Sequence, residues 1–229
     1  LVAGGDERTL LNEVGLNSYN VGPELEPAST VLRSSCTCSP LVPSALQGSA
    51  SALDTVTTTP EAEFSGVMDS IRDRLSAALR LPDGTGVITC PSGTDAELIP
   101  LAIAATLHQD APKVHTIVTG VNEIGKGVAI AGAGRAFSSV TPLMDALASP
   151  PPLGDDLSDV VQATVVDART SLGAIHDPSA AISDAVAAAA DAGCPLLVHS
   201  VFGSKTNVRE PFPTGLPASA HVVLDACQG

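Results

Sequence analysis

Short apolar runs recur along the chain, each followed by a small-residue turn and a stretch of helical spacing. Gly86–Cys90, Val114–Thr119, Ala163–Val166, Leu196–Phe202 and His221–Leu224 are such runs. A strand with one wet face alternates apolar and polar residues, whereas a strand covered on both faces does not. Phe64, Val67, Met68, Ile71, Leu75, Ala78 and Leu79 fall at helical spacing, and Pro82-Asp83-Gly84 ends that helix. Asp95–His108 and Ser179–Ala192 read as helices too, the second with Pro178 at its start and Gly193 as its stop. Strands alternating with helices predict an α/β fold with a mostly parallel sheet, right-handed crossovers and helices on both faces, in three layers α/β/α.

Before Glu61 the texture differs. Residues 1–60 are rich in Ser, Thr, Pro and Gly, which predicts an irregular N-terminal arm; residues 61–229 form the α/β domain. The chain opens at Leu1 and stops at Gly229 directly after an apolar run, so it reads as incomplete at both ends. Eleven Lys plus Arg against 25 Asp plus Glu give a formal charge of −14, and aromatic residues make up only 2%. That acidity repels phosphate backbones and anionic lipid, and few rings are present for base stacking, so nucleic acid and membrane are excluded as partners. No run approaches the ~18 apolar residues of a membrane span. Asp6, Glu7, Arg8 and Glu13 near the start rule out a signal-peptide core there. Five scattered cysteines suit a reducing compartment, and a cytoplasmic location is expected.

In parallel sheets ligands sit at the carboxyl ends of strands, so the residues after each apolar run carry the functional expectations. Pro91-Ser92-Gly93-Thr94-Asp95 follows the first run and opens a helix. Gly93 lets a backbone approach a ligand, Ser92 and Thr94 offer hydroxyls, and first-turn amides favour an anion. An ordinary helix cap is the rival reading, since Ser and Thr are preferred there anyway. Asp225 ends the last apolar run and is followed by Ala226, Cys227 and Gln228. A carboxylate at the end of a buried strand calls for a cationic partner, and no Lys or Arg lies nearby in sequence.

Together the two motifs, about 130 residues apart, resemble those of the fold-type-I pyridoxal 5′-phosphate enzymes, in particular the class V aminotransferase and cysteine desulfurase group. The resemblance covers about residues 60–229. It implies that Ser92, Gly93 and Thr94 hold the cofactor phosphate, that Asp225 pairs with the pyridinium nitrogen, and that Gln228 contacts the ring oxygen. Thr119-Gly120-Val121-Asn122-Glu123-Ile124 is similar to the family's Thr-x-x-x-Glu-His stretch, with Ile124 where a histidine stacks on the ring. Gly203–Pro211 is similar to the Asn-Asn-Glu-x-Gly stretch, with Ser204 in place of the ring-facing asparagine. The Schiff-base lysine is implied some two dozen residues beyond Asp225, and the small domain also beyond Gly229. Lys205, the tempting substitute, precedes Asp225 in the chain. The resemblance further implies the large domain of a homodimeric transferase or lyase acting on an amino acid or small amine.

Two alternatives accompany that reading. One is a non-catalytic or truncated protein of the same fold without the lysine. The other is a nicotinamide oxidoreductase built on Gly132-Ala133-Gly134, although Phe137 stands where a third glycine belongs. Gly203-Ser204-Lys205-Thr206 lacks the spacing of a P-loop. His108, His115, His176, His199 and His221 show no zinc spacing, and His199 inside an apolar run reads as a core histidine. Cys36-Thr37-Cys38 makes a poor metal site with two thiols alone. Arg135, Arg169 and Arg209 are equal candidates for a bidentate substrate-carboxylate contact.

Overall fold

The computed structural model describes residues 8–22, 41–138, 159–210 and 212–226. Cys36–Cys38, Arg33, the prolines 150–152, Pro211 and Gln228 lie outside the described residues. The chain divides into two compact units, Leu1–Cys90 and Pro91–Gly229. Among the described residues no helix is long and apolar enough to cross a membrane.

In the first unit, α1 (Pro43–Thr58) and α2 (Glu61–Leu79) are helices without a single buried side chain. Pro43 pre-sets the backbone of the first turn of α1. The expected irregular arm therefore holds a helix at its end, in which Ala, Leu and Gln stand among the Ser and Thr that suggested a coil. Glu61 and Glu63 suit the positive end of α2, and Arg80 closes it in the left-handed region, φ 53°. Gly86–Cys90 forms no strand. Ile88 is exposed, and among the described residues Gly86–Cys90 pairs with no strand.

The second unit holds a four-stranded, all-parallel sheet: β1 (Val114–Val121), β2 (Val161–Asp167), β3 (Leu196–Val201) and β4 (His221–Asp225), in spatial order β2-β1-β3-β4. This bears out an α/β fold with a parallel sheet. Among the described residues its helices are α3 (Gly93–Ala96), α4 (Leu98–Leu107), α5 (Val128–Gly132) and α6 (Ser179–Asp191). The single helix expected over Asp95–His108 is split, because Pro100 has no N–H and its ring crowds the carbonyl of Ala96.

Alternation of side chains assigns the faces. Ile117, Val166, Leu196 and Val198 pack on Ile182, Ala185 and Ala189 of α6. Val114, Val161 and Leu197 pack on Leu101 and Ala104 of α4. Val118 and Val201 meet Ile124 and Val128 at α5. The continuous burial expected of every strand holds for the central β1 and β3. It fails at the edges, where Gln162, Ala163, Val165, Val222 and Leu224 are exposed. Gly132 ends α5 directly over the sheet: a Cβ there would stand 2.6 Å from Val118 Cγ2, so helix and strand approach as only glycine allows.

Leu197 is wholly buried between α4 and the sheet, and Leu172 is 95% exposed. Leu197→Ala should cost about 2–5 kcal/mol, against less than about 0.5 kcal/mol for Leu172→Ala. Urea unfolding of the two variants checks this contrast.

Candidate functional site

All four strands point the same way, so the loops after them meet along one edge of the sheet. Ser92 caps α3: its hydroxyl donates to Asp95 Oδ2 at 2.6 Å and accepts from the Asp95 N–H at 3.2 Å. Ala96 N–H is taken by the Ser92 carbonyl at 3.1 Å. The N–H groups of Gly93 and Thr94 have no earlier helical carbonyl to meet. Thr94 is buried, yet its hydroxyl makes no hydrogen bond to a described residue. Gly93 is exposed, and a Cβ added there would meet nothing within 4 Å. Nothing in the protein itself demands glycine at 93, and the space beside it is open.

Thr94 packs on the turn that follows β1. A Cβ at Gly125 would lie 3.4 Å from Thr94 Oγ1, and one at Gly127 would lie 2.8 Å from Thr94 Cγ2. Glu97, just after α3, reaches β3, where its Oε2 lies against His199 Nδ1 with both side chains buried. His199 Nε2 has no hydrogen-bond partner among the described residues.

Asp225 pairs in register with Val201 at the end of β4, and its carbonyl accepts from Phe202 N–H at 2.8 Å. Residues in register on parallel neighbours face the same side. Leu197, His199 and Val201 face α4 and α5, so His221, Val223 and Asp225 do too. Val223 packs in the α4 cluster and His221 Nε2 meets His108 Nε2 at 3.1 Å, as that parity requires. Thr94 and Asp225 thus share one edge and one face of the sheet. With only β3 between β1 and β4, the span across the strands is about 10 Å.

Beside this pair stands a cluster built on Glu123, whose buried carboxylate joins the loops after three strands. Ser204 donates to it at 2.5 Å, and Thr206 Oγ1 and Arg169 Nε donate as well. Burial alone would raise the Glu123 pKa. The Ser204, Thr206 and Arg169 hydrogen bonds and the guanidinium charge outweigh burial and bring it to about 2. Lys205 completes the join: its N–H donates to the Glu123 carbonyl at 3.0 Å and its Nζ to the Ile124 carbonyl at 2.8 Å. Asn122 is left-handed, φ 76°, and bonds Asp167 Oδ1 at 2.7 Å. At Gly120, φ 69°, a Cβ would run into Val201 Cγ2.

Several sequence expectations take a different place here. Ser92 has given its only O–H to Asp95, so it serves as the cap and leaves Gly93 and Thr94 as the free donors. Ser204 has likewise given its O–H to Glu123, which leaves it nothing to donate to a ring oxygen. Ile124, expected to cover a ring face, is 4% exposed inside the Val118–Val128–Val201 cluster. Gly132 and Gly134 close α5 rather than open a helix after a strand, so they present carbonyls where a dinucleotide needs N–H groups. His199 is buried as expected, but its partner Glu97 carried no sequence signal. Among the described residues no group of three or more His, Cys, Asp or Glu is placed to hold a metal. Comparison with protein-family models, with curated proteins and with solved structures finds no match for this chain.

Because the folded pKa of Glu123 lies below its usual value, the unfolded chain takes up the proton first as pH falls. Its contribution to stability is therefore complete above the ordinary carboxylate range and is lost as pH drops toward 2. Between about pH 6 and about pH 3, the urea midpoint of the parent protein should fall more steeply than that of Glu123→Gln. Parallel slopes would remove Glu123 from the acid response.

Proposed function

We propose that this chain is the cofactor-holding part of a fold-type-I pyridoxal 5′-phosphate enzyme, a transaminase or lyase acting on an amino acid or small amine. The supporting observation is the placement of Thr94 and Asp225 on one face and one carboxyl edge of a parallel sheet, beside open space at Gly93. The residues present fit the group: neutral N–H and O–H donors stand at one end and a carboxylate at the other.

In this reading Gly93 and Thr94 hold the phosphate with two backbone amides and one hydroxyl. Gly93 keeps the approach open, and Ser92 fixes the turn through Asp95. Asp225 holds a proton on the ring nitrogen, because its carboxylate stabilises the cationic form. The bound cofactor supplies an electron sink for a carbanion on the substrate. Glu97 and His199 tether the start of the helical segment to β3, which keeps the phosphate-holding turn in register with Asp225. Glu123 keeps the three neighbouring loops from drifting. Pairing as a homodimer, the usual arrangement in the resembled group, belongs to the same proposal. The nicotinamide alternative gains nothing from the geometry, since its glycines sit at the closing end of a helix.

Pyridoxal 5′-phosphate should bind the full-length protein with a change in its visible absorption, and Thr94→Ala should weaken it about tenfold while affecting phosphate-free pyridoxal much less. Asp225→Ala should keep the circular dichroism of the parent and lose about 100-fold or more in turnover. Full activity in that variant, or equal effects of Thr94→Ala on the two ligands, would sink the assignment.

A further inference from the structure

Several cations lie in the loops of the second unit, and their surroundings differ sharply. Arg169 spends Nε on Glu123, Nη1 on the Gly173 carbonyl at 3.0 Å and Nη2 on Thr206 Oγ1 at 2.8 Å, so a buried acid already matches its charge. Arg209 lies 5.1 Å over the ring of Phe202. Helix α5 runs from Gly127, beside Thr94, back to Gly132, beside Thr116, and Arg135 beyond its end lies toward the opposite edge of the sheet. Lys113 precedes β1 at that same opposite edge.

Lys205 is different. It follows β3, and its Nζ is pinned at 2.8 Å on the carbonyl of Ile124, the residue just before Gly125 and its contact with Thr94. No carboxylate among the described residues pairs with it. An ammonium has three donors, and one is used. Lys126 is also near Thr94, but no described residue holds its Nζ. A side chain fixed in advance loses less freedom on binding than one that must be ordered. On a chain of net charge −14, an incoming anion also needs a local positive charge that no neighbouring acid cancels.

We propose that Lys205 receives the carboxylate of the substrate, so that the substrate is an amino acid and not a simple amine. This rests on the cofactor reading above and replaces the three arginines that the sequence offered for the task. The carboxylate accepts two N–H bonds from Nζ while the third stays on Ile124, and the substrate amine is left free to face the cofactor. Lys205 acts by binding; no bond to it is made or broken.

The test uses the full chain labelled with ¹³C,¹⁵N-lysine, so that the side-chain Cε and Nζ resonances of Lys113, Lys126 and Lys205 are followed with all three ammonium donors intact. The twenty L-amino acids are titrated one by one, with and without pyridoxal 5′-phosphate, beside the decarboxylated amine of each binder. Expected is a saturable shift of the Lys205 resonance with an amino acid, none with its decarboxylated amine, and loss of the response in Lys205→Met. In turnover assays, Lys205→Met should raise KM about tenfold or more with little change in kcat, and Lys205→Arg should restore most of the loss. No Lys205 response to any amino acid, equal responses to acid and amine, or a response carried by Lys126 overturns the proposal. Cofactor binding without a Lys205 response overturns the anchor alone. A Lys205 response without cofactor binding overturns the cofactor reading and leaves the anchor standing.

Discussion

A carboxylate taken out of water must find donors enough to replace it, and at Glu123 that requirement ties together the loops at the carboxyl edge of the sheet. Its partners come from the loops after β2 and β3, while Glu123 itself follows β1. Strands of a parallel sheet are joined only through distant crossovers, so their carboxyl-end loops have no direct covalent reason to stay together. Glu123 supplies one reason here, beside the Asn122–Asp167 bond and the Thr119 hydroxyl donated to Glu210. Ser204 passes the constraint on, because its hydroxyl also accepts the N–H groups of Val208, at 2.9 Å, and Thr206, at 3.3 Å. The position of Lys205, an ammonium pinned on the Ile124 carbonyl, is inherited from that arrangement.

A second tie works at right angles to the first. Glu97 and His199 join a helix start to the sheet beneath it, where the first tie joins loops side by side. Both depend on carboxylates in settings poor in water, and both lie next to the donors of Gly93 and Thr94 or the acid of Asp225. A turn that grips an anion needs stiffness, since a donor displaced by an ångström loses most of its hydrogen bond.

The central strands were legible because Val114–Thr119 and Leu196–Phe202 are rich in aliphatic residues without a strict apolar–polar alternation, as strands covered on both faces are. Ala163–Val166 and His221–Leu224 look the same in sequence, yet they lie at the rim, with Val165, Val222 and Leu224 exposed. Rim and centre differ in neighbours, not in letters. Gly86–Cys90 shows the converse: an apolar run is a strand only when another strand is there to pair with it. At the site, Asp225 was legible as a strand-end acid. The loss of Ser92 and Ser204 to internal acceptors was not, although Asp95 three residues after Ser92 is a visible cap partner. Glu97 was invisible because its meaning lies in His199, 102 residues away.

The parity of β3 carries a consequence for how this chain can change in length. Leu197, His199 and Val201 face one helical layer, and Leu196 and Val198 face the other. Deleting or inserting one residue between Leu196 and Val201 would exchange the two sets. It would turn the imidazole toward α6, strand Glu97 without its counterpart, and drive aliphatic side chains against the wrong helices. Divergent versions of such a chain can therefore gain or lose residues in the turns, whereas this six-residue segment must keep its count.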